Sequence, residues 1–504
     1  MRAGAASLPL DPPLGLPMLG FVRQVHLARG TGWPLETGAV VLEQGETRVV
    51  LCGVDVVGLQ APEVDRLVDR IAEVCACDPA GVLLSFNHTH LAPPADERMA
   101  LIAGEGVEDV ELMRRTARAI QDRMVEVCRR AREALEPAEP VWAVGEVDEA
   151  VNRRERTADG RTILGWNPER QLDQQVTALQ LRRPDGSAVA TLVGFGCHTT
   201  TTGYDMDIYS ADFPGPLRDL VRTVSGGECV FLQGAAGDVL PRVAFTRDEQ
   251  AAEALGRRLA LEALHALADR HAAPRRVVRG SDGSVTPISL YRIEREPPVE
   301  PVLAAVRTRV DFPLQPLMGP EQLAALRASA EAQVADAKAR GDRGAAKVAN
   351  YTADWARRTE ARMQAGTAGP TVDGPIHAIR IGDGVIVTGP GEIFSEIGLA
   401  VKQRAPGRPT LYCGYANGLV SYFPTADEYP YGGYEPGYGN RSFDLWAQVA
   451  PESERLLVET GVRLAERLFP ECEPWPEAAG WSARQGAPAP PARERLVHPD
   501  LVDG

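Results

Sequence analysis

The chain has 504 residues, 44% of them hydrophobic and 24% charged, a composition that excludes a disordered chain and allows one large core. Its formal net charge of −15 disfavours nucleic acid and anionic lipid surfaces as partners, because both recruit clustered Lys and Arg. The eight cysteines show neither zinc-ribbon spacing nor a C-x-x-C pair, Cys75-Ala76-Cys77 being one residue short, and they read as reduced core residues.

Before the Asp11-Pro12-Pro13 segment there is no apolar run of the kind a secretory signal needs. No stretch of about 18 apolar residues follows, so the expectation is a cytoplasmic protein without a stable membrane anchor. Ala39–Leu42 and Thr47–Gly53 flank a glycine-containing turn and predict a β-hairpin, with Asp55 as a polar residue near its end. Pro62 and the spacing of Val64, Leu67, Val68, Ile71 and Cys75 predict a helix that leads into a strand over Gly81–Phe86. A long helix is expected over Val107–Leu135, then a β tract at Val144–Val147 and a hairpin from Val176–Leu181 to Ala188–Phe195. Further helices are predicted at Glu249–Leu267, Pro320–Lys338, Ala345–Gln364 and Pro451–Leu468. The middle two read as a helical hairpin laid on the sheet, and the last opens on an acidic first turn, Glu452-Ser453-Glu454. The fold class expected is α/β, a mixed β-sheet core flanked by helices. Residues 1–473 form its catalytic domain and 474–504, rich in proline, alanine and charge, an extended tail.

Five strand-like runs stop in short polar loops: at Asn87-His88-Thr89-His90, at Cys197-His198-Thr199-Thr200, at Gln233–Asp238, at Gly389-Pro390-Gly391-Glu392, and at Gly414-Tyr415-Ala416-Asn417. In α/β sheets ligands collect beyond the carboxyl ends of strands, so these loops point to one shared site. His88, His198 and Glu392 offer the nitrogen and oxygen donors that a catalytic zinc uses. Glu392 has a second reading, as an acid complementing the dipole of the helix that follows it, and spacing leaves both open.

The ordered set Asn87–His90, Val151-Asn152-Arg153, Cys197–Thr200, Gly237-Asp238-Val239, Pro390-Gly391-Glu392 and Asp427-Glu428-Tyr429 resembles the catalytic domain of the neutral/alkaline non-lysosomal ceramidases. The resemblance runs from Pro12–Pro17 to about Leu468. It implies one zinc held by His88, His198, Glu392 and Tyr429, with loop packing the alternative role for a tyrosine that has Tyr431 and Tyr434 close by. It implies that His90 and Arg153 help to hold the reacting carbonyl; a structural hydrogen bond or ion pair is the alternative for each. Where the ceramidases carry a serine after Gly-Asp-Val, this chain has Leu240, which has no nucleophilic atom. The expectation is therefore a zinc-dependent hydrolase that uses zinc-activated water on an amide or related acyl bond of a small molecule other than ceramide. The alternatives are a zinc-dependent esterase or cyclase, or a non-catalytic binding protein on the same fold.

Overall fold

The computed structural model describes residues 1–97, 110–268, 270, 275–282, 289–295 and 300–472. The expected tail, 474–504, and the start of the expected helix at 107–109 lie outside them. Three mixed sheets form the centre. The first joins β1 (Arg2–Pro9), β2 (Glu36–Gln44), β3 (Thr47–Val54) and β4 (Val82–Phe86) in the order β4-β3-β2-β1. The second has β5 (Glu139–Glu146), β6 (Gln175–Arg182), β7 (Ala188–Phe195) and β8 (Glu228–Gln233) in the order β8-β7-β6-β5. In the third, β9 (Leu303–Pro313), β10 (Thr371–Ile381), β11 (Gly384–Thr388) and β12 (Thr410–Cys413) follow one another.

Each sheet is antiparallel except for one pair: β3 with β4, β7 with β8, and β11 with β12 run parallel. A parallel pair needs a crossover, which the helices α1 (Ala61–Cys75), α3 (Pro214–Ser225) and α7 (Ser395–Arg404) supply. The predicted long helix is α2 (Val110–Glu133), and α4 (Glu249–Ala268), α5 (Pro320–Ala339), α6 (Arg343–Gln364) and α8 (Glu452–Leu468) match the other expectations within a few residues. The α/β reading with mixed sheets and flanking helices is what the structure shows.

Strand alternation divides the core in two. Val40 and Leu42 of β2, Leu51 of β3, Leu192 of β7, Leu232 of β8, Ile386 of β11 and Leu411 of β12 meet in one cluster between the sheets. Val41, Val50 and Cys52, one residue out of phase, face α1 and α2 in the larger cluster. Six of the eight cysteines are buried, in keeping with small core residues; Cys77 is half-buried and Cys472 exposed.

The sequence left some elements unassigned, and one expectation needs correction. The Ala-rich start of the chain, not assigned from the sequence, is a full β-strand paired along its length with β2. The pair α5 and α6 is docked on loops instead of lying on a sheet, because Trp355, Leu323 and Met363 pack within the pair. Polar contacts help to dock the pair: Trp355 Nε1 donates to Leu445 O at 2.9 Å and Lys347 Nζ to Gln24 O at 2.6 Å. No helix among the described residues is long and apolar enough to cross a membrane.

Candidate metal centre

The carboxyl ends of the three parallel pairs meet at one point. Asn417 N donates to Leu84 O at 2.9 Å, Phe86 N to Tyr415 O at 3.2 Å and Gln233 N to Ser85 Oγ at 3.1 Å, stitching one sheet to the next. A Cβ at Gly234 would stand 2.7 Å from the backbone of Gly196, so the junction closes only around bare glycine.

His88 leaves β4 with φ +66, a left-handed conformation uncommon outside glycine, which turns its imidazole into the junction. Its Nδ1 lies 2.7 Å from Val57 O, and His198 Nδ1 lies 2.6 Å from Ala236 O. A backbone carbonyl accepts only, so in neutral rings each Nδ1 carries the proton and each Nε2 a lone pair. Both Nε2 atoms face Glu392, at 3.5 Å from Oε1 for His88 and 3.1 Å from Oε2 for His198. Burial is the largest influence on the Glu392 carboxyl and pushes it up, but His88 and His198 outweigh it and hold it well below the usual carboxylate range. Burial and then Arg153 push the His198 imidazole down to about 4. Lone pairs aimed at a buried carboxylate favour a cation among them; the Arg153 guanidinium supplies one at His198 Nε2, and the donor set also fits a zinc-type ion.

His90 belongs to the same group: its ligand atom, with those of His88 and His198, lies within a 4.8 Å span. Neither of its ring nitrogens has a hydrogen-bond partner, and burial, aided by the two other imidazoles, holds it well below its usual range and so neutral. It sits edge-on to Phe21, ring centroids 4.5 Å apart. Gly20, at φ +131, makes room, since a Cβ there would come within 2.3 Å of His90 Cγ.

Arg153 enters from the strand-like segment after Ala150. Its Nε donates to Glu435 Oε1 at 2.7 Å, its Nη1 to His198 Nε2 at 2.9 Å and its Nη2 to the Tyr422 hydroxyl at 3.2 Å. Burial opposes its charge, but Tyr422, Glu435 and Glu392 outweigh that and keep the guanidinium protonated.

Tyr429 is not brought to this point. Its hydroxyl donates to Val449 O at 2.9 Å, and it is not part of the cavity wall. The tyrosine at the site is Tyr422, because a short parallel pairing sets Tyr422 directly opposite Glu392 and Phe423 opposite Ile393. Opposed residues of paired strands share a face. Tyr415 is also there, its hydroxyl donating to Glu392 Oε2 at 3.3 Å.

Sequence reasoning singled out the loop that carries Tyr415 but assigned the residue no role, and a two-residue strand leaves no period by which Tyr422 could be found. Gln233, which opens another of the polar loops, was likewise given no role. Its Nε2 donates at 2.8 Å to the carbonyls of both Asn87 and Cys197, the residues that precede the two histidines facing Glu392. Asp55 stays out of the site: it binds Asn87 Nδ2 at 2.6 Å and the Arg218 guanidinium, bracing the His88 loop from behind.

The group lies at the base of a cavity of about 610 Å³ whose wall includes Leu19, Phe21, Leu240, Leu419 and Phe443. Leu240 is buried where a short strand pairs Val239–Pro241 with Ala150–Asn152.

This architecture is that of solved ceramidases. The chain superposes on the neutral ceramidase from Pseudomonas aeruginosa with a TM-score of 0.63 and 17% identity, over 96% of this chain and 76% of that one. A ceramidase complexed with C2 gives a TM-score of 0.61 and 16% identity, over 96% and 78%. No protein-family profile and no curated protein matches the chain. The expected likeness to ceramidases therefore holds at the level of fold.

Proposed function

We propose that the chain is a zinc-dependent hydrolase of an amide or related acyl bond in a small molecule with an apolar body. The observation that carries this reading is the convergence of His88, His198 and Glu392 lone pairs, tautomers set by backbone carbonyls, at the base of an apolar cavity. His88, His198, Glu392 and Tyr422 would hold the ion, with Tyr422 taking the place expected of Tyr429. When bound, zinc supplies Lewis acidity that polarises an acyl carbonyl and acidifies water.

The chain's own residues do the rest. Arg153 stays charged in a dry setting and can donate to the oxygen on which negative charge develops, and Glu435 holds its orientation. His90, neutral and unpartnered, offers one donor and one acceptor toward the same space. Leu240 contributes no nucleophile, so in this reading solvent is the attacking group. The fold shared with two ceramidases supports acyl-amide chemistry without specifying the substrate.

Matched fluorogenic amide and ester substrates, assayed before and after chelation, test the proposal. Amide turnover should disappear on chelation, return with added zinc and be absent in Glu392→Gln. Turnover that survives removal of all metal would refute it.

A further inference from the structure

Around the opening of the cavity stand Ile163, Leu164, Tyr204, Phe245 and Tyr438, all between 40 and 48% exposed and all part of the same wall that leads down to the metal centre. They come from four separate segments held together by specific contacts. Thr162 Oγ1 donates to Tyr431 O at 2.9 Å, tying the hairpin of Ile163 to the Tyr438 segment, while Phe21 packs against both Tyr204 and Phe245 at 6.3 and 6.0 Å. Scattered apolar residues on a surface need no explanation, but a ring of large ones continuous with an apolar cavity does.

Three of the cations beside the ring are neutralised in place, Arg161 by Asp159 at 2.7 Å, Arg23 by Asp342 at 3.1 Å and Arg247 by Asp205, while Arg441 stacks on the Tyr438 ring. Among the described residues the mouth thus offers no cluster of unpaired cations for an anionic surface, and the net charge of −15 repels one. Tyrosines at such a rim suit the headgroup level of a lipid layer, where one end of the side chain is apolar and the other wet.

We infer that the cavity mouth docks on neutral or zwitterionic lipid surfaces, so that an amphiphile passes from the aggregate into the cavity along an unbroken apolar wall. This goes beyond the hydrolase reading and does not require turnover.

Flotation with phosphatidylcholine vesicles, with and without admixed phosphatidylglycerol, tests it on the full chain. The protein should float with phosphatidylcholine and bind no better when phosphatidylglycerol is added. Leu164→Glu and Phe245→Glu should each lower the partition coefficient about tenfold or more, as expected for losing one buried large apolar side chain. Leu261→Glu, on α4 and more exposed than either but away from the cavity, should leave it unchanged. Zinc content and circular dichroism of the variants control for folding. The inference is overturned if the wild type does not float with phosphatidylcholine, if the mouth variants float as well as the wild type, or if binding depends on phosphatidylglycerol. It is equally overturned if sedimentation shows concentration-dependent self-association that the same variants abolish, which would make the ring a contact between two copies of the chain.

Discussion

The side chains around the candidate metal position are separated in role by their hydrogen bonds. His88 and His198 have Nδ1 committed to carbonyls and Nε2 turned toward Glu392, so His88→Ala and His198→Ala should each lose bound zinc in elemental analysis. Arg153→Ala and His90→Ala should keep zinc and fold, and lose about 10²–10³ in turnover, roughly 3–4 kcal/mol of transition-state stabilisation. Retained zinc in His88→Ala together with its loss in His90→Ala would exchange the two roles. Tyr429→Phe removes only a bond to Val449 O and should cost about 1 kcal/mol in stability with metal content unchanged, whereas Tyr422→Phe should weaken zinc in a competition titration. Gln233→Leu touches no ligand, yet it frees the carbonyls in front of both histidines. Zinc affinity should fall about 10- to 100-fold, the usual effect of removing an outer support.

At the scale of elements, the first turn of α8 shows burial overruling a helix dipole. The sequence predicts that Glu454 complements the positive end of the helix as an anion. In the structure it is nearly buried, accepts only from Ala426 N at 2.7 Å and leaves Oε1 without a partner. Burial pushes its carboxyl up to about 7. A folded-state pKa above the unfolded value of about 4.3 means that the stabilisation is complete below that value and is lost as pH rises through about 7. Glu454→Gln keeps the acceptor and cannot ionise. Urea midpoints of the two proteins should nearly coincide at pH 4.5, and at pH 8 the variant should lead by about 1–3 kcal/mol. A difference independent of pH would show that folding does not raise the Glu454 pKa.

For the whole molecule, the consequence of building one site from three sheets is that an ion there ties together segments hundreds of residues apart. Only the folded state presents His88, His198 and Glu392 to one ion, so binding adds RT ln(1 + [L]/Kd) to stability, about 4 kcal/mol at a thousandfold excess over Kd. Chelation should lower Tm by a few degrees, zinc should restore it, and His88→Ala should melt at one temperature with or without zinc. Calorimetry of a chelated sample that melts where the zinc-loaded one does would separate the site from the fold.

Much of this was legible in the chain. Strands such as Val82–Phe86 and Ala188–Phe195 are local, continuous apolar runs, and the helices other than α3, which the sequence left unassigned, carry their own spacing and breakers, so their existence follows from neighbours a few residues apart. His88, His198 and Glu392 were legible for the same reason, each lying just past a strand end. Other features were decided only by distant contacts. The first strand is Ala-rich and becomes β by pairing with β2. The α5–α6 pair packs apolar residues within itself and docks in part through carbonyls. Tyr429, the tyrosine next to a recognisable motif, turns to Val449, while the register of a two-residue parallel pair sets Tyr422 against Glu392. Periodicity reports which face of an element is apolar; which residue stands opposite another across two strands is a property of the register, and register exists only once the sheets have assembled.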